Sequence, residues 1–155
     1  MKAHQHSAGA AGEESQAIGL SRAGNTSKIH LAVDSHGLPI EFLITGGETH
    51  DSKAASELIA LLPVAEAVVA DKGYDSESIR EQIIETKARA VIPRKSNSVI
   101  GNADMDWALY RYRHLVENAF ARLKHFRALA TRYDKLKRNY ESTVAMACSL
   151  LWLPM

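Results

Sequence analysis

The chain has 155 residues, 46% of them hydrophobic and 24% charged, and a formal net charge of +1. This is an ordinary soluble globular composition at a length that suits one compact domain. A single cysteine, Cys148, excludes an internal disulfide framework. The opening Met1-Lys-Ala-His-Gln-His lacks the apolar core of a signal peptide, and the apolar run from Val144 to Leu153 is too short to span a bilayer. A reducing cytoplasm is therefore the expected compartment.

Residues 1–27 are rich in Gly, Ala and Ser and carry neither helical nor strand periodicity, which reads as a mobile leading segment. Lys28 to Val33 alternates with Ile29, Leu31 and Val33 on one face, and Leu38 to Thr45 is a second strand. Asp34-Ser-His-Gly37 between them has turn chemistry, so the two form a hairpin. Gly46-Gly47 ends it. Asp51 or Ser52 is placed to cap a helix running to about Leu62, with Ala54, Ala55, Leu58, Ile59 and Leu62 inward.

Ala67 to Ala70 is a short continuous apolar run, as in a strand covered on both faces. Ser76 is positioned to cap a helix to about Lys87 with Ile79, Ile83 and Ile84 facing inward, and Ala90 to Ile92 is a third buried strand stopped by Pro93. A long helix is expected from about Ala108 to Ala130, with a second from Asn139 to Leu153. The order β-β-α-β-α-β-α-α describes an α/β fold in which a hairpin feeds a partly parallel sheet.

The near-neutral charge hides an asymmetry. Between Arg111 and Arg138 nine Lys or Arg residues face only two acids, Glu117 and Asp134. Such a stripe attracts polyanions without specifying a base sequence, although a solvated helix face has the same composition. Within it Tyr110, Arg113, Glu117 and Lys124 fall within about 60° of one another on a helix of about 100° per residue. Tyr112, Leu115, Val116, Ala119, Leu123, Phe126 and Ala130 cluster opposite.

Asp71 stands at the carboxyl end of the run Ala67–Ala70, where α/β sheets place their chemistry, with Gly73 allowing a sharp turn beside it. A carboxylate there can ligate a hard divalent cation or can simply cap a turn. Pairing with Glu117 favours the first reading, because two-metal phosphoryl transfer needs acids converging from separate elements. Tyr110 can meet a phosphate or stack on a base, or merely pack against its helix. Arg113 can hold a phosphate, or can form a surface pair with Glu117 of about 0.3–0.5 kcal/mol.

Three blocks carry a resemblance. They are Met1-Lys-Ala-His-Gln-His-Ser-Ala-Gly-Ala10 with Ser27-Lys-Ile-His-Leu-Ala-Val-Asp34, then Ala70-Asp-Lys-Gly-Tyr-Asp75, then Tyr110, Arg113, Glu117 and Lys124 at Y-x2-R-x3-E-x6-K spacing. Over nearly its whole length the chain resembles the C-terminal portion of bacterial insertion-sequence transposases with a DDE active site, most of all the insertion-sequence-five group. The resemblance implies a ribonuclease-H-like (retroviral-integrase-like) mixed sheet flanked by helices. Residues 28–155 would form that catalytic domain, truncated, after the leading segment 1–27.

By the same resemblance Asp71 and Glu117 are the second and third catalytic acids and ligands to two magnesium (or manganese) ions. Tyr110, Arg113 and Lys124 would contact DNA. The implied reaction is metal-dependent cutting of transposon ends followed by transfer of the freed 3′-hydroxyl into target DNA. Implied partners are double-stranded DNA (transposon ends and target), and either a second copy of the chain or the product of an upstream reading frame. No membrane is implied, and the setting is the bacterial nucleoid.

The family's first aspartate lies a few residues upstream of the Lys-Ala-His-Gln-His block, and Met1 stands immediately before that block. The expectation is that the sheet lacks its first, central strand and that this chain alone neither cleaves nor joins DNA. An internal methionine taken as a start, a frameshifted downstream frame and a decayed remnant all fit that pattern. Two rival functions follow: a DNA-binding but catalytically dead fragment that inhibits or complements a full-length transposase, and a helical interaction module built on residues 108–153. His4 and His6 could share a strand face and bind zinc, but they lack partners at ligand spacing. His50-Asp51 could approach the metals, although helix capping by Asp51 is the simpler account; Asp75 belongs more naturally to the turn before the next helix.

Overall fold

The computed structural model describes residues 1–4, 16–22 and 24–153. The first half of the chain contains β1 (Lys2–Ala3), β2 (Gly19–Ser21), β3 (Gly24–Val33), β4 (Pro39–Gly46), α1 (Asp51–Leu61) and β5 (Ala67–Val69). There follow α2 (Glu77–Glu85), β6 (Arg89–Val91), α3 (Trp107–Tyr110), α4 (His114–Leu123), α5 (Arg127–Ala130), β7 (Thr131–Arg132) and α6 (Lys137–Leu151). The architecture is mixed α/β.

The hairpin forms as its alternation predicts. β3 and β4 pair antiparallel from Ser27↔Gly46 to Val33↔Pro39, with a bulge between Ala32 and Val33. Asp34 is the turn residue: its Oδ1 accepts from the backbone N–H groups of His36 and Leu38, each at 2.9 Å. β3 also carries β2 antiparallel at its N-terminal end and β1 through Lys2↔Thr26, and β1 runs parallel to β7. Three pieces of this sheet therefore come from the first 27 residues, which had shown no periodicity. Strands of two or three residues are too short to display any.

The single sheet expected from the element order is not formed among the described residues. β5 and β6 make a separate two-stranded parallel ladder, Ala67↔Arg89 to Val69↔Val91. α1 joins the two parts, packing on β3 and β4 and against α2.

The apolar core divides the same way. Ile29, Leu31 and Ile44 of the hairpin pack with Ala119, Leu123 and Leu129 and with Tyr140, Val144, Ala147, Cys148 and Leu151 of α6. Those α6 positions recur at the i, i+4, i+7, i+8, i+11 spacing of one helical face. A smaller cluster joins Ala55 and Ile59 of α1 with Ile79 and Ile83 of α2 and with Ala88 and Ile92.

Several helix boundaries differ from the sequence reading. Asp51 does not cap α1: His50 occupies the cap without a side-chain hydrogen bond, and Asp51 instead bonds Lys28 Nζ at 2.9 Å. Ser76 holds the cap position of α2, also without a side-chain bond. The long helix expected over 108–130 is α3, a 3-10 turn over Arg111–Arg113, and α4; a break at Lys124–Phe126 then separates α5. Tight turns of this kind are usual at helix ends, and right-handed dihedrals at Arg111, Arg113 and His114 keep the path helical through Lys124. Tyr112 and Ile84, both expected on packed faces, are 56% and 62% exposed. α6 begins and ends two residues earlier than its pattern suggested.

Arg132 is fully buried without a carboxylate partner within ion-pair range among the described residues. Its guanidinium donates to Ser27 Oγ at 2.7 Å, to Ala17 O at 3.2 Å and to Asp134 O at 2.9 Å, and lies 4.8 Å from the Tyr140 ring centroid. Burial lowers its pKa, and the fields of Tyr140, Asp134 and Glu141 oppose that. Ser27 Oγ donates in turn to Ala17 O at 2.6 Å, so one carbonyl closes the triangle.

A second buried polar group secures the loop after β5. Asp75 Oδ1 accepts from Arg80 Nε (3.2 Å) and Nη2 (2.8 Å), its Oδ2 accepts from Lys95 N (2.8 Å), and Arg80 Nη2 also donates to Ile92 O (2.7 Å). The turn beginning at Asp71 is thereby tied to the end of β6. Asp75 belongs to the turn, as its position suggested. Burial works against its carboxylate, but the bonds from Arg80 and Lys95 outweigh that and hold its pKa below the usual carboxylate range.

Two outcomes are expected. Arg132→Leu lowers stability to chemical unfolding by about 3 kcal/mol or more, because carbonyls are orphaned inside the core. Arg132→Lys is nearly as damaging, since one ammonium cannot replace a planar fork; a wild-type midpoint for that variant would show the fork to be dispensable. For Asp75 the depressed folded pKa means its contribution is complete above its unfolded value and disappears as pH falls through the folded one. Asp75→Asn therefore costs about 1.5–3 kcal/mol at neutral pH and leaves a shallower loss of stability on acidification below about pH 4. Parallel acid-unfolding curves for the two proteins would refute this.

Candidate nucleic-acid and metal site

Asp71 follows β5 and caps the 3-10 turn Lys72–Tyr74, its Oδ1 accepting from Gly73 N at 2.7 Å. A Cβ on residue 73 would stand 2.8 Å from that oxygen, so glycine is what lets the carboxylate fold over the turn. Turn capping and ligand availability are compatible here: the capping bond uses one oxygen, and the residue is exposed.

The α3–α4 path supplies the other residues. Asp106 caps its start by accepting from Leu109 N at 2.9 Å, and Trp107 meets the Tyr110 ring edge-on at 5.7 Å. The Arg113 guanidinium lies 5.8 Å from the Tyr110 ring centroid, and its Nη1 is 2.7 Å from Glu117 Oε1. Glu117 is exposed, as is Lys124 at the end of α4.

The electrostatics join the two elements. The bond to Glu117 raises the pKa of Arg113, and the charges of both Glu117 and Asp71 reach the same guanidinium. Asp71 and Asp51 also act on Tyr74, whose hydroxyl is pushed up to about 12, chiefly by burial. Lys124 stands apart from this group, beside the Met1 amino terminus, whose pKa falls through burial and the nearby lysine charge.

Of the residues singled out in the sequence, Tyr110, Arg113 and Glu117 are brought together on one helical path with Lys124 further along it, and Asp71 stands at the turn after β5. His4 stacks on the Tyr133 ring at 4.9 Å; His6 lies outside the described residues. Tyr74 was quoted within the Asp71 block without a role. Its signal was its place between two acids separated by one tight turn.

Oxygen donors at 71 and 117 suit a hard cation that keeps several waters. Among the described residues no group of three or more His, Cys, Asp or Glu converges, and the carboxylates at 71 and 117 fit magnesium or manganese in kind. No described helix is long and apolar enough to cross a membrane.

The family described as "Transposase DDE domain" matches residues 2–152. A Brucella ovis protein named "Putative transposase for insertion sequence element IS6501" is 34% identical over 129 residues, covering 83% of this chain and 98% of that protein. A Burkholderia cepacia protein named "Putative transposase for insertion sequence element IS402" is 28% identical over 141 residues, covering 84% of this chain and 64% of its own length. "Transposase for insertion sequence element IS1106" of Neisseria meningitidis is 30% identical over 127 residues, 78% of this chain and 44% of that one. No solved structure gives a significant match. The agreement of one family over nearly the whole chain with three relatives of one kind leads to a single assignment: this chain belongs to the transposase DDE domain family.

Proposed function

We propose that this chain is the C-terminal part of an insertion-sequence transposase, with a ribonuclease-H-like core in which Asp71 and Glu117 are metal-binding acids. Tyr110, Arg113 and Lys124 would contact the DNA. The observation that carries this reading is the family match over residues 2–152, which takes in Asp71 at the turn after β5 and the Arg113–Glu117 pair leading into α4.

Two like charges brought together in a shared site repel unless a cation stands between them. In the DNA-free chain Arg113 supplies that charge. A DNA phosphate can bind the guanidinium in a bidentate way and so compete with Glu117, releasing the carboxylate at the moment substrate arrives. Lys124, exposed on the same helical path, holds the backbone further along, and Tyr110 offers a ring face to an unstacked base. Gly73 N keeps Asp71 oriented by its 2.7 Å bond. When bound, two magnesium or manganese ions supply activation of the attacking oxygen and stabilisation of the leaving oxygen.

The alternative reading is a DNA-binding, catalytically dead fragment that inhibits or complements a complete transposase.

Two measurements test the proposal. Mn²⁺ binding followed by paramagnetic resonance should weaken about tenfold or more in Asp71→Asn and in Glu117→Gln, while the fold is retained. Unchanged binding in either variant removes that residue from the site. Duplex affinity should fall linearly with log salt concentration, and Arg113→Ala or Lys124→Ala should each reduce the slope by about 0.9. Equal slopes would mean that neither side chain touches phosphate. Magnesium-dependent nicking by the chain alone, abolished in Asp71→Ala, would show the site complete as it stands.

A further inference from the structure

Arg132 fixes more than the core. Its Nε donates to Asp134 O at 2.9 Å, so a fully buried side chain holds the backbone on either side of Tyr133. β1 and β7 run parallel in the register Lys2↔Thr131 and Ala3↔Arg132, and His4 N donates to Arg132 O at 2.8 Å, one step further along the same ladder. Side chains alternate across a ladder. Ala3 and Arg132 are buried and take the inner face, which turns Lys2, His4 and Tyr133 outward.

That outward face sets an aromatic surface beside cations. The His4 and Tyr133 rings are stacked, with centroids 4.9 Å apart and planes 29° from parallel, and Tyr133 is nonetheless 62% exposed. One face of the tyrosine ring rests on the imidazole and the other meets water. Lys2 is exposed on the same side of the ladder, and Lys135, two residues beyond Tyr133, is exposed as well. β7 itself lies within the basic stretch from Arg111 to Arg138.

A rigid, exposed ring flanked by ammonium groups matches the chemistry of an unpaired nucleotide. Every base has a π face to stack, and the phosphates beside it carry the charge that lysine answers. A duplex hides those faces in its own stack, so the partner this surface selects is a single strand. Ordering costs little, because a tyrosine side chain has only two rotatable angles and its ring is already held by His4.

We propose that the His4–Tyr133 stack is a platform for an unpaired base of single-stranded DNA, with Lys2 holding an adjoining phosphate. The proposal rests on the reading that this chain acts on DNA, and it adds a single-strand subsite built without Asp71, Glu117 or any metal ion.

The test compares the full chain and its variants binding a short oligothymidine strand, the same strand with abasic sites, and a duplex of equal length. Tyr133→Ala should weaken binding to the strand about 5- to 100-fold with an unchanged salt slope, since stacking releases no counterions. Tyr133→Phe keeps the ring and should bind as the wild type does, while Lys2→Ala should lower the slope by about 0.7. On the abasic strand and on the duplex, Tyr133→Ala and wild type should be equal. Tyr133→Trp supplies a larger ring, and its added indole emission should be quenched by the strand. Wild-type affinity in Tyr133→Ala, an equal loss on the abasic strand, Tyr133→Phe as weak as Tyr133→Ala, or an unquenched indole would each overturn the proposal. Duplex binding without strand binding overturns this inference alone; no salt-sensitive binding of either overturns the DNA reading with it.

Discussion

A cation buried without a counter-ion among the described residues holds the larger half of this molecule together. The Arg132 side chain ends β7 and reaches Ser27 of β3, 105 positions away, and Ala17, 115 positions away. Its Nε satisfies Asp134 O ahead of α6. An isolated charge would be prohibitive in that place, but a guanidinium spreads its charge over five donors in one plane, and carbonyl dipoles with an aromatic face answer it. Ala17 adopts φ 51°, a conformation that disfavours any residue with a Cβ. Its carbonyl accepts from both Ser27 and Arg132, and those bonds offset the strain. The leading segment, the hairpin and the C-terminal helix consequently share one polar junction under the apolar core.

The smaller half solves a similar problem with a paired acid. Asp75 and Arg80 satisfy each other and the ends of the surrounding loop, so the turn that begins at Asp71 cannot swing freely. Asp75 is committed inward while Asp71, four residues earlier, is left to solvent. The same residue type has opposite roles because one side chain finds a buried guanidinium and the other finds a backbone N–H at the surface. Arg113 then stands to Glu117 as Arg80 does to Asp75, but on an exposed helix where the interaction is screened and readily exchanged.

These differences explain what could be read from the sequence. The hairpin was legible because its alternation and its Asp-Ser-His-Gly turn are local. The convergence of Tyr110, Arg113 and Glu117 was legible because a helix fixes spacing within two turns. β1, β2 and β7 were not, because two or three residues carry no period and their pairing depends on distant chain. Arg132 was indistinguishable from the other basic residues of its stripe: burial is decided by Ser27, Ala17 and Tyr140, and nothing near Arg132 announces them. Asp51 looked like a cap because Asp before a helix usually is one, and Lys28 on the neighbouring strand drew it elsewhere.

The separation of the two ladders is the point at which local and long-range order meet. Each half has its own core cluster and its own buried polar clamp. They are joined through α1, which packs on β3 and β4 and against α2. Asp71 belongs to one half and Glu117 packs with the other, so their spacing is set by how the halves meet and by neither half alone. Side-chain charges in water-facing positions hold such a junction weakly, at about 0–1 kcal/mol per exposed pair. A backbone ladder contributes direction as well as energy, because each of its bonds fixes the register of the next.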